Sequence, residues 1–144
     1  MSNESVVGTW SLVSMTAKSS KGDEFYPYGE NPAGMIIYSD SGDVAVVLMR
    51  VNRSKSVSGD LLGGTPEEIK EAFEGFDAYG GTYEVDMEKG VVIHHIEVGR
   101  FPNWEGTAQV RHFKLLGNQL LLSTPPIFAL GQEWAVHAVW ERKS

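Results

Sequence analysis

Three groups of side chains in this sequence have the types and spacing to do chemistry. The first is Arg111, which lies between Gln109 and Phe113 in an alternating segment. A guanidinium turned into an apolar interior must be paired, or must meet an anionic or carbonyl oxygen on a ligand. Glu97 is its candidate internal partner, and a carboxylate, enolate or ketone oxygen is the alternative. The second group is the adjacent pair His94 and His95. On a strand, neighbours point to opposite faces, so one ring faces in and the other out, and the two cannot share a metal ion. The register taken here turns His95 inward with Ile93 and Glu97, opposite the Gln109, Arg111 and Phe113 face. A slip of one residue reverses that assignment. An inward imidazole beside an arginine has a lowered pKa and can serve as a general base or hydrogen-bond acceptor near neutral pH; a hydrogen-bonded core histidine is the plainer reading. The third group is Tyr79, Gly81 and Tyr83, which share one face, two phenols flanking a glycine that leaves room for a ligand. Two core tyrosines bonded through their hydroxyls are the alternative.

Other chemistries lack their residues. The chain has no cysteine, which removes disulfides, thiolate nucleophiles and cysteine-ligated metal sites. No H-x-H or H-E-x-x-H spacing occurs, His112 and His137 are assigned outward, and no metal is expected. No G-x-S-x-G elbow or glycine-rich phosphate loop is present. Twelve Lys and Arg stand against 19 Asp and Glu, a formal charge of -7, so a nucleic-acid backbone is repelled and is not an expected partner. The cluster Arg50, Arg53 and Lys55 reads as a solvated loop. No run reaches the roughly 18 apolar residues of a membrane span, so membrane insertion is not expected. The polar opening Met1 to Ser5 has no apolar export segment, and the expected location is cytoplasmic.

The elements that position these groups are mostly strands. At 144 residues one domain is expected, over 1–144. Trp10, Leu12 and Ser14 share a face of the first strand. Met35–Ser39 and Val44–Arg50 flank a tight loop at Asp40–Asp43 and form a hairpin, and a second hairpin turns at Gly117 and Asn118. Pro125 and Pro126 stop the strand before them, and Trp134 to Arg142 is the last strand. The single helical signature covers residues 66–74: Thr65 caps, Pro66 occupies the first helical position, Glu68 completes a capping box, and Ile69 and Phe73 share one face. With Gly63 and Gly64 before it, this helix reads as a lid over an open mouth, and Trp104 as either a second rim residue or a side chain packed against the outside of the barrel. About eight or nine antiparallel strands with one helix make an all-β fold, an up-and-down barrel or a sandwich.

A resemblance separates the two. Gly8, Thr9 and Trp10 resemble the G-x-W signature of lipocalins, whose tryptophan plugs the closed end of the barrel while a late-strand arginine lies across its ring; Arg142 matches that arginine. Further segments, in order along nearly the whole chain, are similar to the bacterial and fungal lipocalin-like domain proteins: Gly34 to Gly42, Tyr79 to Tyr83, His94 and His95, Phe101 to Gly106, Gln109 to Arg111, and Val139 to Arg142. The resemblance implies an antiparallel up-and-down lipocalin-like (calycin) β-barrel and little about chemistry. No cofactor is expected, although relatives in the wider superfamily bind haem through one histidine.

The expected function is binding of a small hydrophobic or amphipathic metabolite in the barrel, by a monomer or weak homodimer. Tyr38, Met49, Tyr79, Tyr83, His95, Gln109, Arg111 and Phe113 are the candidate ligand contacts. Two alternatives stand beside it. One is a cyclase or isomerase on the same scaffold, with His95 or Tyr83 moving a proton and Arg111 stabilising charge on oxygen. The other is a structural or interaction domain with a filled core, in which Glu97 closes off Arg111.

Overall fold

The computed structural model describes residues 5–143. Eight antiparallel strands close into a barrel: β1 (Gly8–Ser19), β3 (Ala33–Tyr38), β4 (Asp43–Met49), β5 (Phe76–Asp86), β6 (Val91–Gly99), β7 (Ala108–Leu116), β8 (Gln119–Ser123) and β10 (Gln132–Arg142). Pairing of β1 with β10, from Trp10 opposite Arg142 to Ser19 opposite Trp134, seals the sheet. Two short strands extend it at the open end, β2 (Glu24–Phe25) on β1 and β9 (Ile127–Ala129) on β10. Closure leaves few backbone groups unpaired, which suits short strands that would make poor sheet edges alone.

Alternation along each strand sorts inside from outside. Val44, Val46 and Leu48 of β4 are buried between exposed Asp43, Ala45 and Val47, and on β8 Leu120 and Leu122 are buried between half-buried Gln119, Leu121 and Ser123. Two register shifts interrupt this pattern. In β1 the shift between Leu12 and Ser14 buries Met15 and Ala17, so Ser14 does not continue the Trp10 and Leu12 face. In β6, Gly80 pairs with Val98 and Gly81 with Ile96, leaving Glu97 as the extra residue of a bulge. Gly81 is needed there for close approach: a Cβ would fall inside the van der Waals contact of the His95 carbonyl oxygen. The glycine therefore serves the strand pairing and does not widen the interior.

One end of the barrel is packed solid. Trp10 is fully buried, its indole N–H donates to the Val6 carbonyl at 2.9 Å, and the Arg142 guanidinium lies 4.1 Å above its ring. Arg142 also donates to the carbonyls of Val7 and Ser5, both at 2.8 Å, which ties the entering chain to the last strand. At the other end α1 (Pro66–Glu74) starts at Thr65 with the reciprocal Thr65–Glu68 capping box. None of its residues is fully buried, so tertiary contacts hold it: Arg53 donates to the Ala72 carbonyl and Arg100 to the Phe73 carbonyl. These two cations satisfy carbonyls that the helix end leaves open, where the helix dipole also favours positive charge. Among the described residues no helix is long and apolar enough to cross a membrane.

Candidate functional site

Above the packed end the barrel encloses a hollow of about 400 Å³. Its walls are apolar, with Met15, Ile36, Leu48, Leu122 and Ala138 from five strands, and its mouth carries Phe25, Phe73, Phe101 and Phe128. Phe73 brings the helix to the mouth, and Trp104, in a 3-10 turn over Pro102–Trp104, faces the hollow as well.

Three charged side chains line this space: Asp77, Arg100 and Arg111. Asp77 and Arg100 pair with each other, Nε to Oδ1 at 3.3 Å, and the Arg100 guanidinium also stacks 4.0 Å from the Phe73 ring. Burial pushes the Asp77 carboxyl up from its ordinary range, against the pull of the Arg100 charge. Arg111 is only 6% exposed, and among the described residues no carboxylate lies within 4.0 Å of it. Its protein partners are the Val110 carbonyl at 3.0 Å, the Tyr79 hydroxyl and the Trp104 ring 5.6 Å away, all of them neutral.

Beside Arg111 runs a chain of three rings. Tyr79, on the hollow wall, meets His94 Nδ1 through its hydroxyl at 2.8 Å, and His94 Nε2 meets the Tyr38 hydroxyl at 2.7 Å. His94 is fully buried; burial, assisted by the Arg111 charge, holds its pKa down to about 3, so the ring is neutral. Both phenols are pushed up, in each case chiefly by burial. A neutral imidazole has one donor and one acceptor, which orders the chain. Tyr38 is 1% exposed and His94 Nε2 is its sole hydrogen-bond partner among the described residues, so the satisfied arrangement has Tyr38 donating to Nε2. Nδ1–H then donates to the Tyr79 oxygen, and the Tyr79 proton is left to point elsewhere.

The structure thus reverses the expected histidine assignment. His94, with Val92 and Ile96, faces in, while His95 points outward to a surface contact with Glu84 at 2.7 Å. The signal was present in the sequence: the His94 face carries only apolar neighbours, whereas the His95 face carries the charged Glu97, which lies exposed at the bulge and does not approach Arg111. Tyr79 and Arg111 take their expected places on the hollow, and Tyr38 stands behind them. Tyr83 faces in but belongs to the packed end, its hydroxyl donating to the Ser39 carbonyl at 2.7 Å and its ring edge-on to Tyr38. Phe113 packs with the same core. Met49 has the outward parity of β4 and accepts from Arg53 through sulfur at 3.4 Å, and Gln109 donates to Thr107 at 2.9 Å; neither lines the hollow. Asp77, Arg100 and Trp140 are hollow-lining residues that pattern reading did not single out, because the first two flank a strand end and a loop, where alternation carries no information.

Comparison with known proteins agrees with this architecture. The family model described as lipocalin-like domain matches residues 7–143. A protein of Aspergillus oryzae (strain ATCC 42149 / RIB 40), named 4'-hydroxy-3'-methoxypropiophenone carrier protein, is 33% identical over 102 residues, covering 66% of this chain and 92% of the relative. With the closed eight-stranded barrel and the Trp10–Arg142 plug, the match over almost the full length places this chain in the lipocalin-like domain family.

Proposed function

We propose that this barrel binds one small, largely apolar molecule with a polar end and holds it away from water, as a carrier. The observation that carries the reading is Arg111, without a carboxylate within 4.0 Å among the described residues, on the wall of a largely apolar hollow of about 400 Å³ whose other two charges pair with each other. That volume falls within the roughly 300–1,000 Å³ of small-molecule sites, and apolar walls with a few convergent polar groups are their usual composition. The name of the Aspergillus oryzae relative, a carrier of an aryl ketone, supports a ligand of that general size and polarity. Binding is favoured over acid–base catalysis, since the imidazole nearest the hollow is His94, held behind Tyr79 and with a pKa of about 3 too weak a base for proton abstraction near neutrality.

Native mass spectrometry of the protein purified from its own host, followed by denaturing extraction, tests the proposal. A stoichiometric small molecule is the expected result. Three of the four tryptophans, Trp104, Trp134 and Trp140, line the hollow, so its occupation also changes intrinsic fluorescence. An empty protein whose emission and melting temperature ignore a panel of apolar acids, ketones and haem would refute the reading.

A further inference from the structure

We infer that the ligand of this hollow binds as an anion, its ionised carboxylate or acidic phenol held by the Arg111 guanidinium and the Tyr79 hydroxyl. The inference rests on the carrier reading and names the chemistry its ligand must have.

Charge is the first argument. The hollow is lined by two guanidiniums and one carboxylate, and Arg100 is the partner that the carboxylate of Asp77 takes. The interior therefore carries a net positive charge within a chain of formal charge -7. A buried guanidinium that meets only neutral protein oxygens, its neighbour's carbonyl and the Tyr79 hydroxyl, is poorly compensated, and arginine does not escape by losing its proton. A neutral carbonyl oxygen on the ligand would accept a hydrogen bond and leave the charge in place. An anionic oxygen supplies both.

The second argument is the imbalance of donors. The ordering of Tyr38, His94 and Tyr79 leaves the Tyr79 proton free on the side of the hollow. Trp140, whose ring also lines the hollow, is 2% exposed, and its indole N–H is buried without a partner among the described residues. The hydroxyls of Tyr28 and Thr124 can serve in either role, and the one dedicated acceptor, Asp77, is engaged by Arg100 and by the Ala78 amide. A lining rich in donors and poor in acceptors selects a ligand whose polar end brings acceptors. Trp104 and Tyr79, edge-to-face at 5.9 Å, frame the guanidinium and direct it toward that end.

The test is displacement of a neutral fluorescent reporter, N-phenyl-1-naphthylamine, by matched pairs of probes: phenylbutyrate against its methyl ester, and para-hydroxypropiophenone against para-methoxypropiophenone. The acid is expected to displace the reporter roughly 10-fold to 100-fold more tightly than the ester, the range of a charge-assisted hydrogen-bonded pair. The hydroxyketone is expected to gain on its ether as rising pH ionises the phenol, and whichever pair shows the larger ratio identifies the preferred anion. In Arg111→Leu the acid-to-ester ratio is expected to fall to about one, and Arg111→Lys to keep part of it. Equal affinities within both pairs, with the reporter bound, would overturn the anion inference and leave the container standing. Failure of the reporter and of every probe to bind would overturn both. A ratio that survives in a folded Arg111→Leu would overturn the assignment of the anchor. Should that variant not fold, the paired probes on the unaltered protein still decide.

Discussion

Replacing His94 by Gln should flatten part of the acid sensitivity of this protein. Glutamine keeps a donor and an acceptor between the two phenols but cannot take up a proton. In the folded chain His94 resists protonation down to about pH 3, whereas in the unfolded chain it titrates near the ordinary histidine value of about 6.5. Its folded pKa is depressed, so the associated stability is fully present above about pH 6.5 and is lost as pH falls, because the unfolded state then binds a proton that the folded state refuses. At about 1.4 kcal/mol per pH unit, the loss reaches about 2 kcal/mol by pH 5 and about 4 kcal/mol near pH 3, where a folded value of about 3 begins to level it off. That is comparable with the whole stability of many small domains. Carboxylate titration, Asp77 included, is common to both proteins and cancels in the difference. The assay is urea denaturation of the wild type and His94→Gln at several values between about pH 7.5 and about pH 4, read as the difference in unfolding free energy. The reasoning is refuted if that difference stays constant across the range, or if the His94 ring carbons in an NMR titration shift with a midpoint above about pH 5.

Three further outcomes follow from the same structure. His95→Ala, which loses only an exposed contact with Glu84, is expected to change stability by less than about 0.5 kcal/mol and to leave ligand-induced fluorescence changes intact; a large effect in either measurement would show that the ring has another role. Gly81→Ala is expected to cost at least about 2 kcal/mol, seen as a lower urea midpoint or loss of soluble protein, since the added carbon meets the His95 backbone at the bulge, which cannot yield as a flexible side chain can. Arg142→Met, which removes two hydrogen bonds to carbonyls and the cation over Trp10, is expected to lower stability by about 2 kcal/mol in the same assay, with little change in probe affinity because the plug lies at the packed end.

Much of this protein was legible before folding. Alternation in β4 and β8, the turn residues at Asp40–Asp43 and Gly117, and the Thr65–Glu68 capping box are local signals, each decided by neighbours within a few residues, and they placed the strands and the helix at 66–74. The cationic candidate Arg111 was equally readable, because an arginine among inward apolar positions needs a counterpart wherever it ends up. Strand β9 escaped notice because three residues after two prolines carry too short a period to register.

The tertiary structure alone decided what those residues meet. A strand has period two, so a single bulge inverts the meaning of every position beyond it: the shift in β1 exchanged Ser14 for Met15, and the bulge at Glu97 turned Val98 out of the Val92, His94 and Ile96 face, while Glu97, Arg111's expected partner, goes outward with His95. The union of Tyr38, Tyr79, His94 and Arg111 joins four strands: β5, β6 and β7 are paired neighbours, but the contact of Tyr38 on β3 with His94 on β6 crosses the interior of the curved sheet, which no local pattern encodes. Sequence determined which faces are apolar and which groups must find partners; strand register, the two shifts in it and closure of the sheet determined which of them find each other, and that among the described residues no carboxylate lies within 4.0 Å of Arg111.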